Sequence, residues 1–349
     1  MVQSSVGAYL VKISAFELQP ITLNENRAEF LALSHTRNTE SFFRAMTNTR
    51  TLALGLGCAI GIATLIRRWH RRMQEARLRA HFERDGYVIV KGLLSKAECA
   101  RLEESVTCDD GIEKHALGRD DGMGRRTRLA LWNHPGNDVT GMIARVPRIV
   151  KRMEILLGGP VYHYHTKLMM KDARTGGAHL WHQDYGYWVN NGCAFPQMGT
   201  VFIPIDRMDA ENAGLKVIKG SNRMGLIQHH TTGAQAEVDP TRLGYAQRLL
   251  ETVQLQMEPG DACFFHCLTL HCSGQNHSDR RRWCFLVAYN RNSNDPLIEH
   301  HHPQFTPLEP ASDGAILDPA TPLIDVRGKD FMDGMSDSSV KKYESHGFH

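Results

Sequence analysis

Apolar positions along this chain follow two regimes. Over residues 71–157 they recur at helical spacing, and over residues 161–289 at nearly every second position. In the first regime, residues 71–85 predict a charged helix stopped by Gly86. Residues 87–90 form a short β-branched run, and Ser95 followed by Glu98 is a capping box that opens a helix through Val106. Residues 139–157 place Met142, Ile143, Val146, Ile149, Val150, Met153 and Leu156 on one helix face, before Gly158-Gly159-Pro160 stops them. The polar, Gly- and Arg-rich stretch 109–128 between these helices reads as a loop. In the second regime, residues 161–170, 199–205, 215–218, 253–257, 262–265 and 283–289 read as strands, with turns such as Glu258-Pro259-Gly260-Asp261 between them. Helices followed by many short, irregularly joined strands predict a mainly β fold with flanking helices, a barrel or jelly roll.

The two ends of the chain depart from this pattern. Residues 1–48 show no period and are expected to be poorly ordered; Glu17, Glu25, Glu29 and Glu40 argue against a transit peptide. Residues 51–66, TLALGLGCAIGIATLI, carry no charge and run into Arg67, Arg68, Arg71 and Arg72. A spanning helix needs about 20 apolar residues, so two readings of the segment 49–68 stay open. One is a short membrane anchor that leaves the rest of the chain on the cytoplasmic side; the other is a buried or lipid-surface helix. The localisation implied is cytoplasmic or membrane-anchored. Met46 lies just before this run, so a start there would make it N-terminal. Residues 72–295 hold the folded pattern, and residues 296–349, rich in Pro, Asp and His, are expected as a wrapping or mobile tail.

Composition narrows the class. Apolar residues make up 42% and charged residues 23% of the chain, enough for a sizeable core. A formal charge of +3 is too small to point to nucleic acid. Eight cysteines include no CxxC pair, so reduced, buried thiols are expected rather than a disulfide framework. Oligomeric state is not readable.

The chemistry centres on Trp181-His182-Gln183-Asp184. Residues two apart on an extended segment face the same side, so His182 and Asp184 can reach one metal ion. Two histidines and a carboxylate on one face of an octahedron leave three positions open, which suits non-haem Fe(II) oxygen chemistry. A second block, GDACFFHCLTLHCSGQNHSDRRR over residues 260–282, offers the third ligand. His271 ends an apolar strand there, while His266 reads as a core histidine. Arg282, on the next strand, can form a bidentate pair with a carboxylate, whereas Arg280 and Arg281 read as a solvated turn. Tyr185, Tyr187 and Trp188 either line a pocket or pack in the barrel; Tyr162 and Tyr164 read as core.

From Phe82 to about Asn290 the chain resembles the phytanoyl-CoA dioxygenase family of Fe(II)/2-oxoglutarate enzymes. The matching pieces are DGYVIVKGLLS, HTKLMMKDARTGG, WHQD, ENAGLKVIKGSNRMG and the 260–282 block, in the family's order. The resemblance implies a double-stranded β-helix, a cupin-like jelly roll. It implies Fe(II) held by His182, Asp184 and His271. It also implies 2-oxoglutarate gripped by Arg282 with Ser273, lined further by Lys167 and Phe202, with O₂ consumed and ascorbate as supporting reductant. Arg128 falls near a position where some members carry a cosubstrate-binding lysine. The expected reaction is hydroxylation of a small organic molecule, such as an acyl-CoA, a lipid-like compound or a secondary metabolite. A carboxylate at position 184 argues against the halogenases of this fold, which need a small residue there. Asn212-Ala213-Gly214 departs from the Asn-Gly common in the family, and the N-terminal apolar run is not part of its domain. A catalytically silent jelly-roll binding protein and a zinc hydrolase are the competing readings.

Overall fold

The structure, a computed structural model, describes residues 49–333, with side chains described from Thr64 onward. The expected N-terminal extension and residues 334–349 of the tail lie outside the described residues. The chain divides into two units, Met1–Arg71 and Arg72–His349. Helix α1 (Thr49–Asp85) contributes to both and ends where Gly86 turns to φ 82°. The anchor expected over residues 51–66 gains no support: among the described residues no helix is long and apolar enough to cross a membrane. The side chains of residues 51–63 lie outside the described residues, and from Thr64 on the helix is dominated by arginines.

In the second unit, β1 (Tyr87–Val90) leads to α2 (Lys96–Thr107), whose Ser95–Glu98 capping box is formed as the sequence predicts. Next come β2 (Leu117–Asp120), β3 (Arg126–Trp132), α3 (Val139–Arg145), α4 (Pro147–Leu157) and β4 (Val161–Lys171). They are followed by β5 (His179–His182), α5 (Asp184–Asn190), β6 (Met198–Pro204), β7 (Lys216–Ile218), β8 (His229–Thr232) and β9 (Gln235–Val238). The last are α6 (Pro240–Leu249), β10 (Thr252–Gln254), β11 (Ala262–His266), β12 (His271–Ser273) and β13 (Arg282–Arg291).

Three expectations are corrected. The stretch 109–128 is not a loop throughout: β2 and most of its partner β3 form a hairpin that extends the sheet beyond β4. The helix expected over residues 139–157 is two helices, because Val146, preceding Pro147, takes the extended conformation (ψ 137°) that a following proline favours. The β8–β9 hairpin and α6 were not foreseen, since their short, polar strands carry little alternation.

A seven-stranded sheet, ordered β1-β11-β6-β13-β4-β3-β2, faces a four-stranded sheet, ordered β10-β7-β12-β5. All pairings within them are antiparallel. This is a double-stranded β-helix. Alternation along β13 shows how the sheet divides its labour. Trp283, Phe285, Val287 and Tyr289 pack with Leu102, Val139, Ile143, Ile149 and Met153 of the helices on the outer face. Arg282, Cys284 and Leu286 point between the sheets. Leu129, Met169, Phe202 and Phe265 of the large sheet meet Leu215, Val217 and Leu255 on the small-sheet side there. The buried cysteines Cys193, Cys263, Cys267, Cys272 and Cys284 are free thiols.

Part of the C-terminal segment packs on this unit. Ile316 joins the outer core, and Lys329 is fully buried. Its Nζ donates to Pro135 O at 2.8 Å, Asp138 Oδ1 at 3.0 Å and Thr140 Oγ1 at 2.9 Å. Asp138 in turn caps α3 through Gly141 N. Removing one member of a buried ion pair strands the other and costs about 3–5 kcal/mol. Lys329→Ala should therefore lower the unfolding free energy by about that amount in urea titrations; a loss under about 1 kcal/mol would mean the pair is not the tie it looks to be.

Candidate active site

The local geometry starts from one ladder pairing. His182 ends β5, and His271, expected to end the apolar strand through His266, instead opens a separate strand, β12, after a turn; the two histidines are directly opposed. Opposed residues on antiparallel strands project from the same face, so both imidazoles meet, with ring centroids 4.1 Å apart. Asp184 begins α5, and its Oδ1 lies 3.6 Å from His182 Nε2 and 3.9 Å from His271 Nε2. The three donor atoms lie within 4.8 Å of one another, and no other such group of His, Cys, Asp or Glu occurs among the described residues. Between them, Gln183 is turned away and pinned. Its Nε2 donates to Gly225 O and Leu268 O, its Oε1 accepts from Ile227 N, and its N–H donates to His229 Nε2. Burial pushes His229 down to about 3, so its ring is neutral and can accept that bond. Gly186 lets the turn pass this ring, since a Cβ there would lie 2.5 Å from His229 Cε1.

Each of the three side chains is oriented from behind. His182 Nδ1 sits 2.7 Å from Leu180 O, and His271 Nδ1 2.9 Å from Thr269 O. A carbonyl only accepts, so Nδ1 carries the proton and Nε2 keeps its lone pair for a metal. Burial, followed by the neighbouring His182, holds His271 down to about 3. Burial opposes ionisation of Asp184, but His182, Lys167 and His271 outweigh it and lower its pKa. Thr200 Oγ1 donates to Asp184 Oδ2 at 2.8 Å, which leaves Oδ1 towards the histidines. Two imidazoles and one carboxylate oxygen on one side suit a divalent first-row metal with open positions opposite.

A small cavity of about 40 Å³ opens from this cluster. It is lined by His182, Asp184 and His271 together with Lys167, Phe202, Ser273 and Arg282. All seven residues singled out in the sequence therefore border one space. Arg282 is 2% exposed. Its Nη1 donates to Cys284 Sγ at 3.2 Å, while Nε and Nη2 find no hydrogen-bond partner among the described residues. A buried guanidinium with one free edge fits a carboxylate held by two parallel bonds. Arg128 does not border the cavity: it lies on β3 and pairs with Asp172 and Glu113. His266, expected in the core, is partly buried at the end of β11 against Phe82, and loss of solvent pushes it down to about 4. Arg280 and Arg281 are ion-paired, with Asp209 and Asp206 respectively.

A second cavity, also of about 40 Å³, shares Lys167 and His179 with the first. Tyr187 and Trp188 of α5 border it, as do Leu129, His165, His302 and Met332. Tyr185 instead donates to Cys193 O inside the core, alongside buried Tyr162 and Tyr164. Sequence reading missed Thr200, His179, Lys171 and the contribution of the C-terminal segment. Thr200 was within reach, because it shares the inward face of its strand with Phe202. The histidines at 301 and 302 sit in an aperiodic stretch, and only folding brings them to the cavity wall.

Comparison with known proteins agrees with this geometry. The profile of the phytanoyl-CoA dioxygenase (PhyH) family matches residues 82–284. L-proline trans-4-hydroxylase of Streptomyces griseoviridis is 29% identical over 266 residues, which cover 71% of this chain and 94% of that protein. Ectoine dioxygenase of Bordetella parapertussis is 24% identical over 228 residues, 61% of this chain and 74% of that protein. The crystal structure of EctD from S. alaskensis with 2-oxoglutarate and 5-hydroxyectoine has the same fold. It superposes with a TM-score of 0.58 at 22% identity, covering 71% of this chain and 88% of that one. With the family profile spanning more than half of its length, this chain belongs to the phytanoyl-CoA dioxygenase family.

Proposed function

We propose that this family member is an Fe(II)- and 2-oxoglutarate-dependent dioxygenase that hydroxylates a small organic molecule, with His182, Asp184 and His271 holding the iron. The observation that carries the reading is the placement of a three-donor cluster and a buried guanidinium with a free edge in one cavity. When bound, iron, 2-oxoglutarate and O₂ supply oxidation of a C–H bond coupled to release of succinate and CO₂. The chain's own residues bind, orient and exclude water. Arg282 and Ser273 grip the distal carboxylate of the cosubstrate, Phe202 forms a wall, and Lys167 borders both cavities. The cavity bordered by Tyr187 and Trp188 takes the substrate. The catalytic domain spans residues 72–295, and residues 301, 302 and 332 complete its wall.

The first test incubates purified protein with Fe(II), ascorbate and 1-¹⁴C-labelled 2-oxoglutarate, and scores CO₂ release and a gain of one oxygen in candidate substrates. Tight zinc binding with no CO₂ released under any condition would favour the hydrolase reading instead. Truncating one partner of a buried charge pair costs about 2–5 kcal/mol. Arg282→Ala should thus raise half-saturating 2-oxoglutarate at least about 30-fold with metal affinity unchanged; loss of iron would show that the arginine has been misassigned. Groups behind a metal ligand are worth about 10–100-fold in metal affinity, so Thr200→Val should weaken Mn(II) or Fe(II) binding by that factor while leaving the fold, read by circular dichroism, intact.

A further inference from the structure

Lys171 closes β4 and is 1% exposed, directly opposite Arg282 in the ladder. Like charges opposed across strands are destabilising, the more so when buried. The usual remedy is a carboxylate, yet the three acceptors of Lys171 Nζ are neutral: Ser273 Oγ at 2.9 Å, Ser273 O at 3.2 Å, and Gly274 O. Asp121, a carboxylate that acts on Lys171 at a distance, is engaged with Ala178 N and Gln275 Nε2. Burial, and next Arg282, push the lysine well below its ordinary range. This two-cation corner therefore suits an anion that the described residues do not provide.

Hydrogen-bond polarity says how the corner works. An ammonium only donates, and a serine hydroxyl has one proton and two lone pairs. With Lys171 occupying a lone pair of Ser273 Oγ, the serine proton is left to point elsewhere, and Ser273 borders the cavity beside Arg282. The unpartnered Arg282 atoms, Nε and Nη2, form one edge of the guanidinium fork. We infer that Lys171 is a positioning residue that fixes the direction of the Ser273 hydroxyl, so that Ser273 and the free edge of Arg282 together offer three donors to the distal carboxylate of the cosubstrate. This inference rests on the 2-oxoglutarate reading above. Lys171 acts through the serine and through its charge, and not on the metal.

The test is calorimetric binding to the full-length, Mn(II)-loaded protein without O₂, with two probes: 2-oxoglutarate, and 2-oxobutyrate, which lacks the distal carboxylate. Lys171→Met should weaken 2-oxoglutarate about tenfold and leave 2-oxobutyrate and Mn(II) affinities unchanged. Ser273→Ala should do the same, and the double variant should bind 2-oxoglutarate no more weakly than the worse single variant. If Lys171→Met does not accumulate folded, Lys171→Leu, which likewise offers no donor to Ser273, serves in its place with the same expectations. Unchanged 2-oxoglutarate affinity in the lysine variant, fully multiplicative effects, or equal weakening of both probes would each overturn the inference. If the wild-type protein binds Mn(II) but neither probe, it is the cosubstrate reading itself that falls.

Discussion

The site depends on one backbone constraint, the antiparallel pairing that sets His271 opposite His182. Ladder hydrogen bonds fix that register, and a slip of one residue on either strand would send an imidazole to the other face of the sheet. The register is in turn secured at its edges. Gln183 makes bonds to two separate segments, around Gly225–Ile227 and at Leu268, so the chain between the two proposed ligands is held against rotation. Thr200, from the facing sheet, reaches across to Asp184 and thereby ties the cluster to both layers of the jelly roll. The metal-binding geometry is a consequence of how two sheets close, with no loop having to find it.

The charges inside the closed space follow a division. Near the cluster, the buried His229 and His271 are held neutral, so their nitrogens serve as acceptors or ligands, and Asp184 supplies the negative charge. At the other end of the cavity stands Arg282, with Lys171 behind Ser273, and the hydrogen bonds of both go to neutral atoms. Such separation is costly for the protein alone. It makes sense for a ligand that carries a chelating group at one end and a carboxylate at the other. In a dry cavity these interactions are stronger than in water, because fixed donors replace mobile solvent.

The C-terminal segment has a structural part in this arrangement. The buried Lys329–Asp138 pair anchors it to the N-terminus of α3, and Met332 and the histidines at 301 and 302 reach the second cavity. Packing on the outer face of the large sheet and shaping of the inner cavity are thus linked through one stretch of chain. The outer helices do not touch the proposed chemistry. They cover the apolar face of β13 and β4, whose opposite faces carry Arg282, Lys167 and Lys171.

Much of this was readable from residues alone. Alternation identified β4, β6, β7, β10, β11 and β13, the Ser95–Glu98 box identified a helix start, and the His182-Gln183-Asp184 spacing announced two side chains on one side. The family motifs supplied His271, Ser273, Arg282, Lys167 and Phe202, and all of them border the same cavity. These features are legible because each is local: a period, a cap or a spacing depends only on near neighbours. What the sequence could not yield was the pairing between distant elements. Lys171 looks like any strand-end lysine until it is found opposite Arg282 with its ammonium on Ser273. Thr200 is one inward residue among several until β6 is set beside the turn that carries Asp184. The β8–β9 hairpin and the C-terminal wall have almost no periodic signal, since their positions are set by what they pack against. Local pattern determined which residues could do chemistry; the closure of two sheets, a long-range matter of register and burial, decided which of them meet.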